Sequence, residues 1–289
     1  MRLLVIVICL LTTGCGSESE MTLGERAERE VTKVIRHGNY VIKTQNWPSL
    51  APIIDGKPAE GILTVKHNKY SRTLTKPGAL YYFEEFLDLT GDSEEDLVFQ
   101  SWTGGAHGVC ELIVFDSKIN KFHIFYYGHQ LGTKNEYLRT FFPGDIPYTF
   151  KDMDDDGVAE ILILHQWAYY GNCFASSPQY LKIYSLRNSK VSDVTEKFTE
   201  NFTDFIHKVV REQESVFEKY RKKGGMTDDF HAMNVSVLLM KLCGGLEADT
   251  AWRRYDTVRR EIGHGDRYTR EHIEKSMTKY NEEFEPYTK

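Results

Sequence analysis

Asp152-Met-Asp-Asp-Asp-Gly-Val-Ala-Glu160 runs directly into the apolar stretch Ile161-Leu-Ile-Leu164, and 64 residues earlier Asp88-Leu-Thr-Gly-Asp-Ser-Glu-Glu-Asp96 runs into Leu97-Val-Phe99. The chain therefore carries an internal repeat. Aligning loop on loop pairs Asp88 with Asp152, Thr90 with Asp154, Asp92 with Asp156, Ser93 with Gly157 and Asp96 with Glu160. Each repeat then continues into a segment with a Trp, Trp102 in one and Trp167 in the other, so the pattern predicts two β-hairpin units of about sixty residues joined near Thr140.

Outward from the repeat, residues from about Tyr40 to Val194 form short runs rich in Tyr, Phe, Val and Ile, broken by Gly, Pro, Asn and Asp. The connections are too short for crossover helices, so the strands are expected to pair antiparallel. Beyond about Thr199 the apolar spacing becomes helical, with breaks at Gly224-Gly225, Gly244-Gly245 and Gly263 that mark four helices. Leu23, Ala27, Val31, Val34 and Ile35 also read as a helix, ahead of the strands. The expected fold is α+β: an antiparallel β domain over 39–197 followed by a small helical domain over 198–289.

The second loop carries acids at every other residue, Asp152, Asp154 and Asp156, then Gly157 where the chain must turn sharply, and Glu160 closes it. That is the layout of a site for a hard, oxygen-preferring cation. Electrostatics points the same way, because two like charges about 4 Å apart near a protein surface repel by on the order of 4 kcal/mol, and an ion would relieve this. Ile163 stands at the twelfth position, where an EF-hand needs an acid. An Asp-rich hairpin turn serving only turn geometry is the alternative reading.

With its acidic loop and following branched apolar strand, the segment from about 80 to 190 resembles the FG-GAP family, also called the integrin-alpha or VCBS-like repeat, whose units are calcium-binding β-propeller blades. The resemblance implies side-chain oxygens from Asp152, Asp154, Asp156 and Glu160 and a backbone carbonyl from Val158 around calcium. The first loop departs from the pattern, with Thr90 in place of an acid, Gly91 one place early and Ser93 at the usual Gly position, so Asp88, Thr90, Asp92 and Asp96 would make a weaker second site. Two blade-like repeats do not close a propeller, and an open sheet or sandwich is expected.

The first residues supply an address. Met1-Arg2, the apolar run Leu3 to Leu11 and Leu11-Thr-Thr-Gly-Cys15 resemble a bacterial lipoprotein signal over 1–14, cleaved before an acylated Cys15, with a tether and helix over 15–38. Several acyl chains hold a protein on a membrane far more firmly than one. Gly16 after the cysteine favours the outer membrane, facing the periplasm. A net charge of −6 argues against nucleic acid or an anionic lipid surface as partner.

Cys110 and Cys173 lie 14 and 13 residues past Asp96 and Glu160, which makes them candidates for a disulfide in an oxidising compartment. Cys243 sits on a helical apolar face. No nucleophile elbow or zinc-protease helix is present, and Arg253-Arg254 with Arg259-Arg260 form a basic stripe. These features fit a calcium-stabilised envelope lipoprotein that binds or scaffolds a protein or glycan partner. The alternatives are an envelope hydrolase with a site near Trp102, His107, His165 and Trp167, or an inhibitor acting through the helical domain.

Overall fold

The structure, a computed structural model, describes residues 31–46, 53–54, 57–58, 60–102, 110–127, 148–166, 179–222, 228–243, 247–261, 269–283 and 285–289. Cys15, His107, Trp167 and Cys173 lie outside them. Antiparallel sheets of four, five and four strands dominate, with a small two-stranded one and helices, so the α+β class holds.

The chain divides into two compact units. The first unit comprises the described residues up to 87, 94–124 and 288–289; the second comprises 88–93 and 125–287.

In the first unit, β1 (Val31–His37), β2 (Tyr40–Asn46), β5 (Glu60–His67) and β6 (Tyr70–Pro77) form one sheet in the order β1-β2-β5-β6, with β3 (Ile53–Ile54) and β4 (Lys57–Pro58) as a separate short pair. Two-residue turns join β1 to β2 and β5 to β6, and their first positions, Gly38 (φ +49°) and Asn68 (φ +53°), take the left-handed backbone that such turns require. Residues 31–36, expected to end a helix, are strand. Val31, Thr32, Val34 and Ile35 are β-branched and favour extended backbone, and β1 pairs with β2 in unbroken register from Val31 opposite Asn46 to His37 opposite Tyr40.

The second sheet runs β15-β10-β9-β8-β7, built from β7 (Leu80–Leu87), β8 (Asp96–Trp102), β9 (Cys110–Asp116), β10 (Lys121–Tyr127) and β15 (Tyr287–Thr288). Every residue of β9 is buried. Ile42, Leu63, Val65, Tyr81, Leu97, Phe99, Ile113, Phe115 and Ile124 fill the core of this unit. At Gly61 a side chain has no room, because a Cβ there would stand 1.8 Å from the Ala79 carbonyl oxygen.

The second unit holds the third sheet, β11 (Tyr148–Lys151), β12 (Glu160–Gln166), β13 (Gln179–Ser185) and β14 (Ser192–Asp193), in sequence order. The helices α1 (Thr199–Lys222), α2 (Asp228–Cys243), α3 (Ala248–Glu261) and α4 (Arg270–Glu283) follow. This sheet belongs with the helices because Tyr180 of β13 is buried among Val235, Leu238 and Leu239 of α2, Trp252 and Tyr255 of α3 and Ile273 of α4. Three of the four arginines of the basic stripe are partnered: Arg253 donates to the Asp249 carbonyl at 3.3 Å and to the Thr250 hydroxyl at 3.2 Å, Arg254 lies 3.6 Å from Glu214, and Arg259 is 7% exposed and bonded to Asp256. No helix among the described residues is long and apolar enough to cross a membrane.

Candidate functional site

The Asp152 loop joins β11 to β12, and pairing of Lys151 with Glu160 closes its base. The Asp152 carboxylate accepts the amide hydrogens of Asp156 (3.1 Å) and Gly157 (2.7 Å), while Asp156 accepts that of Val158 (3.0 Å). Glu160, buried at 1% exposure, turns back to accept the amide of Met153 at 3.0 Å. Asp155 (φ +57°) and Gly157 (φ +88°) carry the left-handed turns. The result brings carboxylate oxygens of Asp152, Asp154 and Asp156 within 4.8 Å of one another.

The first loop repeats this geometry at the aligned positions. Asp88 accepts the amides of Gly91 (2.7 Å), Asp92 (3.3 Å) and Ser93 (2.8 Å), and left-handed φ recurs at Gly91 (+74°) and Ser93 (+69°), opposite Asp155 and Gly157 in the alignment. Its chemistry differs. The Asp88 carboxylate caps loop amides, Thr90 offers no acid, and Asp96, fully buried, accepts the Ser117 amide at 3.2 Å. Among the described residues only the second loop gathers three acidic groups; in the expected site of Asp88, Thr90, Asp92 and Asp96 a threonine stands where the second loop has Asp154.

The two loops abut. A Cβ on Gly91 would stand 2.9 Å from a Val158 methyl group, which is why glycine sits one place early in the first loop. The turn Arg187–Ser189 bridges them, as Asn188 donates its amide to the Thr90 carbonyl (3.1 Å) and Arg187 reaches the second loop.

Arg187 is the residue that sequence reasoning missed. Its guanidinium donates to Asp156, to Asp154 (3.2 Å) and to buried Glu160 (3.1 Å), and Lys197 adds a bond to Asp154 at 2.6 Å. Two fixed cations thus relieve part of the repulsion among the five acids of the loop. Asp154 is held below the usual carboxylate range, foremost by the Lys197 hydrogen bond and then by the nearby charges of Lys197 and Arg187. Burial pushes Glu160 above it. Nothing in the sequence marks Arg187 or Lys197, because they lie 31 and 43 residues from their partners Asp156 and Asp154 and stand in ordinary polar contexts.

The chain matches no family model, no curated protein and no solved structure.

The oxygen donors fit a hard cation in type and spacing, with Asp152, Asp154 and Asp156 as the residues that would hold it. Of the four residues expected around a hydrolytic site, Trp102 stands at the end of β8 in the first unit, opposite Leu80 and Cys110, and His165 lies in the second. His165 is buried and bonded through Nε2 to the Tyr184 hydroxyl at 3.1 Å. Cys110 is buried at the start of β9.

Proposed function

We propose that this protein is an exported lipoprotein, acylated at Cys15, that faces the periplasm from the outer membrane and binds or scaffolds an envelope protein or glycan through a calcium-stabilised body with FG-GAP-like repeats. The observation that carries the reading is the convergence of the Asp152, Asp154 and Asp156 carboxylates within 4.8 Å at the end of a repeated hairpin. Calcium prefers several carboxylate oxygens in a flexible shell. It would enter by displacing the guanidinium of Arg187, which shares Asp154 and Asp156. Its role would be to fix the loop, with no reaction step.

The address and the loop chemistry together favour binding over catalysis. Four acids of the loop, Asp152, Asp154, Asp156 and Glu160, are tied to backbone amides or to cations, which leaves structure as their work. The test is a thermal melt of the chain in detergent, in chelator and in millimolar calcium, on wild type and on Asp154→Ala with Asp156→Ala. An ion that binds only the folded chain adds about 2.7 kcal/mol at a hundred times its dissociation constant. A calcium-dependent rise of several degrees in wild type but not in the variant supports the reading; identical melts in both media overturn it.

A further inference from the structure

The sheet β1-β2-β5-β6 of the first unit turns one face to the core, where Ile42, Leu63, Val65 and Leu74 lie. Pairing fixes what stands on the other face, because residues directly opposite in an antiparallel sheet point the same way. One row across the four strands is Arg36, Val41, Lys66 and Ser71, and the next is Val34, Lys43, Thr64 and Thr73. The third row, Thr32, Gln45, Ile62 and Thr75, is uncharged. None of these residues is buried.

Charge is segregated onto this sheet. Residues 31–46 and 60–77 carry seven lysines and arginines against one acid, Glu60, although acids outnumber these bases 42 to 36 over the whole chain. Lys76 is engaged with buried Glu111, and Arg72 with the Asn120 carbonyl. Arg36, Lys43 and Lys66, the cations of the outer face, make no ion pair among the described residues. They form a triangle: Arg36 and Lys66 stand two strands apart, about 10 Å, and Lys43 lies about 8 Å from each. Glu60 stands at the far end of β5, about 20 Å along the strand from Lys66. The net charge of −6 is an average that this face reverses.

We propose that this face binds an acidic polysaccharide, a single chain of sugar carboxylates laid across the strands. The carboxylates meet Arg36, Lys43 and Lys66, and the sugar hydroxyls meet the Thr and Ser hydroxyls between them. Such a chain is the envelope glycan of the proposed function, on which this inference rests for its compartment. A protein partner fits less well, because the face has no aromatic anchor and Val34 is its one exposed large apolar side chain. An anionic bilayer fits less well too. Its plane would feel the surplus acids of the remaining chain, whereas a single strand in contact feels mainly the charges within about 8 Å.

The probe is polygalacturonate, titrated calorimetrically into the full chain in detergent with chelator present, so that the outcome does not depend on calcium at the acidic loop. Polyglutamate and dextran serve as the acidic peptide and the uncharged glycan. Polygalacturonate should bind at least tenfold more tightly than either. Arg36→Gln, Lys43→Gln and Lys66→Gln together should weaken it at least tenfold while leaving the thermal melt unchanged. Arg260→Gln, Lys275→Gln and Lys279→Gln together remove the same charge from exposed positions on α3 and α4 and should leave binding unaltered. The proposal fails if polygalacturonate does not bind, if polyglutamate or dextran binds as tightly, or if both triple variants weaken binding equally. A failed titration beside a calcium-responsive melt would overturn this face alone, and binding beside an unresponsive melt would overturn the calcium loop alone.

Discussion

Arg187 donates from its guanidinium to the buried Glu160 carboxylate at 3.1 Å, and Glu160 in turn accepts the amide of Met153 at the start of the same loop. One cation from a distant turn thus fixes both ends of the acidic hairpin.

Replacing Arg187 with Gln should destabilise the chain by about 1 to 2 kcal/mol in chelator. The ceiling for breaking a buried pair is higher, but the guanidinium is about a third exposed and its bonds are partly screened by solvent. The same substitution should enlarge the stabilisation by millimolar calcium, since the competing cation is gone. Melts in both media check this, and a variant with the wild-type calcium response would show that ion and guanidinium do not share a site.

Glycine positions in the two loops should differ in tolerance. Gly157→Ala meets no atom and carries only the penalty of a left-handed φ of +88°, about 1 kcal/mol. Gly91→Ala has φ +74° and also presses on Val158, so about 2 to 3 kcal/mol is expected. Urea denaturation of the two variants ranks them; equal losses would mean that the loops do not abut at Val158.

His165 should set part of the acid sensitivity. Burial, with the nearby charge of Lys182 as a lesser cause, lowers its pKa from 6.5 to about 3. Between those values the unfolded chain takes up a proton that the folded chain refuses. Stability from this residue is therefore complete above pH 6.5 and declines as pH falls toward 3. From pH 7 to 5 the loss is about 2 kcal/mol. His165→Gln should flatten the decline by that amount in urea titrations at the two pH values, whatever it does to stability at pH 7. Parallel declines would remove His165 as the cause.

Lipidation is checked by labelling. Wild type expressed in a bacterium with radioactive palmitate should carry label and sediment with outer membranes, whereas Cys15→Ser should lose both. Label retained on the variant would refute Cys15 as the acylated residue.

Much of this molecule is written locally. Leu97-Val-Phe99 and Ile161-Leu-Ile163 announce buried strands by composition alone, and both are buried. Asp88 and Asp152 announce the repeat, and each carboxylate holds the amides four and five residues on. β6 has no local announcement, because six of its eight residues are exposed and no apolar alternation marks it. β1 misled for a different reason: Val31, Val34 and Ile35 have helical spacing by coincidence, and only pairing with β2 decides the matter. The third sheet's membership is likewise a tertiary fact, since Tyr180 looks like any strand tyrosine until α2, α3 and α4 cover it. The Arg187 contacts arise from chain segments that meet only after folding.

The five-stranded sheet ends on β15, where Lys289 and Phe122 exchange backbone hydrogen bonds of 2.7 and 2.9 Å and the Thr288 hydroxyl meets buried His123 at 2.9 Å. Strands β7 to β10 leave the ribosome long before these residues do. Until residues 287–289 arrive, the outer edge of β10 is bare and open to pairing with any extended segment, its own or a neighbour's. The five-stranded sheet is consequently completed only once residues 287–289 have been made.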